Sequence, residues 1–279
     1  MQQEFIRLEE TLRAICGRGP VYYLPNSGNL GDALIRFGTR KFLRDVGIDC
    51  TELSPGSSVG PLAQLRGGTV IYGGGGAWCS LWGGAERKVA RFNRRFHVVV
   101  LPSTYEKRYA LGNTTFFRRD EFESRGHMPD AVFCHDLAFY IGPLSAPASS
   151  GTGHFFRTDG ESSGKHALPP DNVDPSRAGR QTSDVFPFIA EVAKHAVVHT
   201  DRLHVAIAAC LLGRELHLYA GSYFKNRAVF LSSMQGRFNN VHFHNGPLGD
   251  DPDRGLEVTT TVAGAACSYG ISGQAAEAP

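Results

Sequence analysis

Residues 196–219 of the chain read AVVHTDRLHVAIAACLLGRELHLY. The apolar run at 196–199 and the segment 215–219 have the length and composition of short strands. Between them, the apolar positions of residues 201–212 recur at helical spacing, and Gly213 follows as a helix-terminating glycine. A strand, a helix and a strand in this order predict a parallel β-α-β unit and therefore an α/β fold.

The same alternation of strands and helices occurs in the rest of the chain. Short apolar runs predict strands, and amphipathic segments between them predict helices. The predicted strands are 21–24, 69–72, 97–101, 131–133 and 154–157, and the predicted helices are 32–46, 84–95 and 184–194. This order favours parallel sheets with helices on both faces.

The 279 residues are enough for two modest lobes. Residues 142–153, rich in Gly, Pro, Ser and Ala, form the predicted linker. We therefore expect an N-terminal Rossmann-like lobe over 1–142 and a smaller C-terminal Rossmann-like lobe over 153–248. Residues 158–183 are polar and predict a loop, which makes the second lobe small. Residues 249–279 contain few large apolar residues and predict a flexible tail.

Composition excludes several classes of partner. Lys and Arg number 29 and Asp and Glu 27, so the net charge of +2 cannot attract nucleic acid or anionic lipid by itself. The six cysteines form no C-x-x-C pair, which is typical of a reducing compartment. The N-terminus is amphipathic and acidic, unlike a signal peptide, and no apolar run approaches the roughly 20 residues of a transmembrane helix. We expect a cytoplasmic protein that binds any anion through a local constellation.

The turn Thr200–His204 combines three features that favour an anion. Thr200 or Asp201 can cap the following helix, whose N-terminus carries partial positive charge. Arg202 offers a planar fork for carboxylate or phosphate, and His204 offers a group that titrates near neutral pH. The alternative is structural: Arg202 would pair with Asp201, and His204 would be satisfied in the core.

Three further loops follow predicted strands. Residues 26–32 lead into a helix and allow close approach of backbone N–H groups to an anion, although Asp32 could simply cap that helix. Residues 73–76 are four consecutive glycines, which fit a ligand or lobe contact better than a plain turn. Arg157 leaves an apolar strand end, and the residues alone favour solvent over a cleft for its side chain.

Spacing along the chain predicts neither a metal site nor a serine hydrolase. The sequence contains no H-E-x-x-H, C-x-x-C or G-x-S-x-G motif. His195 and His199 fall on different predicted elements, while His242 and His244 flank Phe243 in a predicted peripheral strand. We expect no bound metal.

An ordered series of short segments resembles the polysaccharide pyruvyl transferase family. The segments run from about residue 21 to 231, and their order carries the resemblance. They are residues 29–35 (NLGDALI), the glycine loop after Ile71-Tyr72, residues 99–103 (VVLPS), Arg119-Asp120 with Glu123-Ser124, Asp136, and residues 155–159 (FFRTD), 200–204 (TDRLH), 211–214 (LLGR) and 223–226 (YFKN).

The resemblance implies two Rossmann-like lobes with parallel sheets facing a cleft, similar to the glycosyltransferase B arrangement. It also implies that the enolpyruvyl unit of phosphoenolpyruvate is transferred to two hydroxyls of a sugar, giving a pyruvate ketal and phosphate. Phosphoenolpyruvate is then the donor substrate and no cofactor is needed. The acceptor would be a sugar of a polysaccharide or of its lipid-linked precursor. A lipid-linked acceptor would bring the protein to the inner face of the membrane.

The resemblance also implies roles for particular residues. The family's Arg-x-His pair, which holds phosphoenolpyruvate, matches Arg202 and His204, and a second arginine matches Arg157. We expect His204 to donate a proton, and Asp32 or Asp136 to accept one from the sugar hydroxyl. The catalytic set is thus His204, Arg202 and Asp32. The expected substrate-binding residues are Arg157, Asn29, Gly31, Gly74, Gly75, Gly76, Ser103, Asp136, Asp201 and Lys225.

Two alternatives of other classes remain open. A glycosyltransferase of similar architecture would use a nucleotide sugar, and such enzymes commonly place a glutamate for the ribose on a second-lobe helix. Residues 201–212 contain no glutamate. A non-catalytic subunit that binds a sugar phosphate is the second alternative, and the short second lobe is compatible with it.

Overall fold

The computed structural model describes residues 1–17, 19–54, 67–165 and 167–248. These residues form two parallel β-sheets with flanking helices, one in each half of the chain, so the expected α/β fold with two Rossmann-like lobes is confirmed. The tail predicted at 249–279 lies outside the described residues. None of the described helices is both long and apolar enough to span a lipid bilayer.

The first lobe contains a seven-stranded sheet in which every pairing is parallel. Its strands are β1 (Val21–Leu24), β2 (Thr51–Glu52), β3 (Thr69–Tyr72), β4 (Gly75–Trp78), β5 (His97–Tyr105), β6 (Thr114–Arg118) and β7 (Val132–Phe133). Its helices are α1 (Gln2–Cys16), α2 (Leu30–Asp45), α3 (Ala85–Phe92), α4 (Glu123–His127) and a 3-10 helix at Leu137–Ile141.

The order of the strands creates a crevice in the first lobe. Along the sheet they run β2-β1-β3-β5-β6-β7, and β4 also pairs with β5. From β1 the chain goes to β2 on one side, and β3 then returns to the other side of β1. The connections after β1 and β3 therefore leave in opposite directions, and ligands bind at such switch points in open parallel sheets.

The second lobe has four parallel strands in the order β11-β10-β9-β8. The strands are β8 (Thr152–Phe155), β9 (Val197–Thr200), β10 (Glu215–Tyr219) and β11 (Val241–His244). The helices are α5 (Phe186–Ala193), α6 (Leu203–Leu211), α7 (Lys225–Val229), a 3-10 helix at Pro175–Ala178 and a π-helical turn at Phe230–Met234. Apart from that 3-10 helix, the described part of 158–183 has no regular element, as expected for a loop.

One apolar core extends through both lobes. It includes Leu34 of α2 and Ile207 of α6, both fully buried, so the two helices pack across the lobe boundary. Phe37 and Phe186 add an edge-to-face ring contact at 5.6 Å between the lobes. Packing of this kind fixes the relative position of the two helix N-termini, which both lie at the cleft.

Candidate functional site

A cavity of about 520 Å³ lies between the lobes, at the carboxyl ends of their strands. The loops after β1 and β3 form one wall, and the segments after β8 and β9 form the other. Its lining includes seven of the predicted site residues: Asn29, Asp32, Gly76, Arg157, Arg202, His204 and Lys225. The remaining predicted residues, Gly31, Gly74, Gly75, Ser103, Asp136 and Asp201, do not line it.

The first-lobe wall is the N-terminus of α2. The side chain of Asn29 accepts a hydrogen bond from the Gly31 N–H at 2.8 Å, and Asp32 Oδ2 accepts one from the Asn29 N–H at 3.0 Å. This capping box satisfies two of the N–H groups that a helix start leaves unpaired. Burial raises the pKa of Asp32, although the charge of His204 partly offsets the rise. Asp32 is therefore both a helix cap and a cavity carboxylate.

His204 belongs to a buried charged chain. Its Nε2 lies 3.5 Å from Asp136 Oδ2, and Arg119 Nη1 donates to the same oxygen at 2.7 Å. Burial alone would raise the pKa of Asp136, but His204 and Arg119 outweigh it and hold that pKa well below its usual range. Asp136 also caps the 3-10 helix by accepting from the Ala138 N–H. Asp136 is thus an ionised group behind His204, shielded from the cavity.

Arg157 and Arg202 share one carboxylate. Asp159 accepts from Arg157 Nε at 2.7 Å and lies 2.9 Å from Arg202 Nη2. Arg157 also pairs with Glu161, and Arg202 also pairs with Asp174. The arginine side chains are only 4% and 5% exposed, so the expectation that Arg157 is solvated is wrong. The Arg202 Nε group has no hydrogen-bond partner among the described residues.

Lys225 adds a third cation to this wall. Its Nζ lies 2.7 Å from Glu161 Oε1, and Glu161 in turn pairs with Arg157. Burial lowers the pKa of Lys225, while the Glu161 charge acts in the opposite direction. Burial alone would raise the pKa of Glu161, but Lys225 and Arg157 together lower it strongly. The second-lobe wall is a network of alternating charges.

The turn before α6 differs from its predicted capping. The helix begins at Leu203 with Arg202 as the capping residue, and no side chain caps it. Thr200 Oγ1 instead accepts from the Arg202 N–H at 2.9 Å, and Asp201 accepts from the Arg157 N–H at 2.8 Å. Asp201 is fully buried and links the end of β9 to the end of β8 through this hydrogen bond. Its carboxylate therefore contacts backbone, where the sequence predicted a contact with the ligand.

The glycine loop is mainly a packing feature. A Cβ on Gly74 would lie 2.4 Å from the Pro102 carbonyl, and Gly75 has a φ of +121° that side chains rarely adopt. Gly76 alone of the three lines the cavity. Ser103 is buried, and its hydroxyl donates to the Leu101 carbonyl at 2.8 Å. Gly74, Gly75 and Ser103 therefore shape the first-lobe wall from behind.

Sequence reasoning missed several residues of the cavity. In the sequence Arg119 stands out only as part of a family segment, yet it lines the cavity. Trp82, which is 51% exposed, lies at the same wall. The carboxylates that pair the cations come from the loop after β8, which has no periodicity that could reveal them. Helix α3 follows Trp82 and contributes Lys88 to the lining.

The balance of charge around the cavity is close to even. Among the lining residues, the cationic side chains are Lys88, Arg119, Arg157, Arg177, Arg202 and Lys225, and the carboxylates are Asp32, Asp159 and Glu161. Asp136, Asp174 and Asp201 lie behind this lining. Cationic side chains therefore outnumber carboxylates in the cavity lining, and part of the negative charge that compensates them lies behind the lining. Such an arrangement favours an anion inside the cavity.

Comparison with known proteins supports the fold alone. No protein-family model matches the sequence, and no curated protein matches it. The structure is similar to the crystal structure of a functionally uncharacterized protein from Klebsiella pneumoniae subsp. pneumoniae NTUH-K2044, with a TM-score of 0.69. The two sequences are 24% identical, and the match covers 88% of this chain and 100% of that one.

Proposed function

We propose that the chain is a phosphoenolpyruvate-dependent pyruvyl transferase that acts on a sugar. The observation that carries the proposal is the meeting of Arg157, Arg202 and His204 with Asp32 and Arg119 in one cavity between the lobes. Phosphoenolpyruvate presents a carboxylate and a phosphate, and guanidinium groups bind both in a planar, two-point geometry. The cavity volume of about 520 Å³ is in the range of small-molecule sites.

The reaction needs one proton donor, one proton acceptor and stabilisation of a leaving phosphate. Protonation of the methylene carbon of phosphoenolpyruvate turns the neighbouring carbon into an oxocarbenium-like centre. One sugar hydroxyl adds to that centre, phosphate leaves with the C–O bond electrons, and a second hydroxyl adds to close the ketal. Of the two hydroxyl protons lost, one replaces the proton used to form the methyl group and the other goes to phosphate.

His204 is suited to give the first proton. Asp136 lies behind its Nε2 at 3.5 Å, and an ionised carboxylate there stabilises a protonated imidazole. Asp136 itself is buried and paired with Arg119, so it is a positioning residue in this proposal. The proton acceptor is then Asp32, which lines the cavity and whose pKa is raised by burial. A raised pKa makes a carboxylate a stronger base.

The two arginines and Lys225 would hold the anionic donor. Asp159, the present partner of both arginines, is a quarter exposed and belongs to the loop after β8, whereas the arginine side chains are buried. A phosphate or carboxylate that enters the cavity would compete with Asp159 for the same guanidinium groups. This competition reduces the net free energy of binding the donor. When the donor is absent, Asp159 keeps the two arginine side chains close together.

Trp82 is suited to hold the acceptor. Its side chain is half exposed at the first-lobe wall, and the next two residues, Gly83 and Gly84, also line the cavity. Large aromatic faces bind apolar surfaces well while their N–H group remains available for hydrogen bonds. A sugar ring offers both kinds of contact, because its C–H face is apolar and its rim is polar. Trp82 would therefore orient the acceptor toward Asp32.

The proposal is tested with the purified chain and a panel of donors. Phosphoenolpyruvate and nucleotide sugars are each incubated with galactosides and mannosides. Phosphate release, nucleotide release and acceptor mass are then measured. We expect phosphate release that depends on both phosphoenolpyruvate and an acceptor, with a pyruvate ketal on the acceptor. Arg202→Ala and His204→Ala should each lose this activity by orders of magnitude, whereas Arg177→Ala at the rim should lose much less.

The other outcomes separate the two alternatives. Nucleotide release without phosphate release would identify a glycosyltransferase and overturn the proposal. Binding of phosphoenolpyruvate or a sugar phosphate without turnover on any acceptor would favour a non-catalytic subunit. Near-normal phosphate release in the Arg202→Ala or His204→Ala variant would leave the activity in place and remove the assigned roles.

A further inference from the structure

A row of histidines crosses the second-lobe sheet. His154, His199, His217 and His242 occupy paired positions on β8, β9, β10 and β11, one on each strand. Because side chains alternate along a strand, residues paired in this way lie on the same face of the sheet. The rings of His199 and His217 are stacked at 4.4 Å, and those of His217 and His242 at 4.9 Å.

This histidine face is the one opposite the apolar core. The intervening residues Val198, Leu216, Leu218 and Phe243 are buried in the core that includes α6. The histidine face is more open, since the side chain of Glu215 is 49% exposed and His242 is exposed. Glu215 starts β10, so this end of the face lies away from the cavity, which is at the carboxyl ends of the strands.

Three residues of this face converge on one point. Glu215, His217 and His242 each offer one ligand atom, and these atoms lie within 4.8 Å of one another. His217 Nε2 is 3.3 Å from Glu215 Oε1. Two ligand atoms at about 2.0–2.1 Å from a tetrahedral zinc ion lie about 3.3 Å apart, so this pair already has the spacing of one edge of a coordination tetrahedron.

A neighbouring histidine orients the central ligand. His217 Nδ1 lies 2.9 Å from His244 Nε2, so that one of these nitrogens donates to the other. When His217 donates from Nδ1, its Nε2 lone pair is directed toward Glu215. Ligating histidines generally have such a partner on the second ring nitrogen, because it fixes the tautomer and the ring orientation.

We propose that Glu215, His217 and His242 form a binding site for a divalent first-row transition ion such as Zn²⁺ on the outer face of the second lobe. Two imidazoles and one carboxylate are ligands that Zn²⁺ prefers, and three protein ligands leave one position open toward solvent. Spacing along the chain could not reveal this site. Its ligands are on two strands, and the register of β10 with β11 brings them together. The site is separate from the proposed transferase cavity and does not depend on it.

The test is titration of the chelator-treated full chain with Zn²⁺ by calorimetry, followed by the absorption spectrum of the Co²⁺ form. We expect about one equivalent of tight Zn²⁺ and the visible band of tetrahedral Co²⁺. Glu215→Gln removes the exposed carboxylate with almost no change in size. It should weaken Zn²⁺ binding at least about tenfold, and His242→Ala should do the same.

His154→Ala is the matched control, because His154 lies in the same row but two strands from His217. It should leave Zn²⁺ affinity and the Co²⁺ spectrum unchanged. Equal losses in His154→Ala and His242→Ala would overturn the three-residue site. Zn²⁺ affinity unaffected by Glu215→Gln and His242→Ala, or no Zn²⁺ uptake by the native chain, would also overturn it. Circular dichroism of each variant confirms that the sheet is intact.

Discussion

The side chain of His204 occupies the space next to Gly31 where any other residue would carry a Cβ. An ideal Cβ on Gly31 would lie 2.7 Å from His204 Nδ1 and 3.1 Å from His204 Cβ. Gly31 is in the first turn of α2 and His204 is in the first turn of α6, so two helix starts from different lobes meet at this contact. Gly31 therefore provides room for His204, which differs from the ligand contact predicted from the sequence.

Gly31→Ala should displace His204 and reduce phosphate release from phosphoenolpyruvate at least about tenfold, which corresponds to about 1.4 kcal/mol in the barrier. Alanine is normally favourable in a helix by roughly 0.5–1 kcal/mol relative to glycine, so the variant should still fold. The measurement is kcat/KM together with the thermal unfolding temperature. Gly126→Ala is the control, since a Cβ on Gly126 meets nothing within 4 Å. Unchanged kcat/KM in Gly31→Ala would contradict a catalytic position for His204.

Arg202→Lys tests whether the guanidinium fork matters beyond its charge. Lysine keeps the charge but cannot make two parallel hydrogen bonds to a carboxylate or phosphate. Loss of one charge-assisted hydrogen bond costs about 1.5–3 kcal/mol, so kcat/KM for phosphoenolpyruvate should fall roughly 10- to 100-fold. The control is Arg177→Lys, because Arg177 is exposed at the rim of the same cavity. Similar kinetics for the two variants would show that Arg202 does not clamp the donor.

Asp159→Asn tests the competition between the protein's own carboxylate and the donor. The substitution removes the negative charge that Arg157 and Arg202 share and keeps the shape of the side chain. We expect the KM or Kd for phosphoenolpyruvate to decrease several-fold. This change corresponds to the free energy that a partly exposed ion pair contributes. Steady-state kinetics or calorimetry measures it, with the exposed Asp171→Asn as control. A higher KM would mean that Asp159 positions the arginines and does not compete.

The elements that were predicted correctly are those whose burial follows a simple pattern. Strands β1, β3 and β10 have the residues predicted for them, because each is a short apolar or alternating segment, and β1 and β3 are bounded by proline or glycine. Strand β6, Thr114–Arg118, was not predicted: it carries two threonines and an arginine, and its place between β5 and β7 comes from pairing. Pairing between distant segments leaves no local signal.

The candidate site likewise contains residues that the sequence predicts and residues that it does not. Arg202 and Arg157 follow strand ends, so their arrival at a common edge is predictable once the sheet is parallel. Their partners Asp159, Glu161 and Asp174 belong to a polar loop, where the sequence has no periodicity to indicate direction. The two arginines therefore lie together at one cavity wall, but the carboxylates that pair with them were not predicted, and anion binding at this wall stays a prediction.

Trp82→Ala should weaken binding of the acceptor sugar and leave binding of phosphoenolpyruvate unchanged. The indole lines the cavity on the first-lobe side, away from the arginines of the second lobe. We expect the KM of the acceptor sugar to rise roughly fivefold, with the KM of phosphoenolpyruvate within about twofold, since one aromatic contact is worth about 1 kcal/mol. Leu81→Ala is the matched control, because Leu81 is an equally exposed neighbour that does not line the cavity. Parallel changes in both KM values would contradict an acceptor role.

Asp201→Asn should stabilise the protein at neutral pH and have little effect in acid. Burial raises the pKa of Asp201 to about 6, above its value in the unfolded chain, because its Oδ2 is buried without a hydrogen-bond partner among the described residues. The native state then holds the proton more tightly than the unfolded state does. The stability of the wild type therefore falls as the pH rises from about 4 to about 6, by up to about 3 kcal/mol.

Asparagine removes that loss and keeps an acceptor for the Arg157 N–H. Urea unfolding near pH 7.5 should show the variant more stable by about 1–3 kcal/mol, and near pH 4.5 the difference should shrink to about a third of that. Asp130→Asn, an exposed carboxylate, should show no comparable gain. A gain of equal size at both pH values would mean that it comes from packing and not from the ionisation of Asp201.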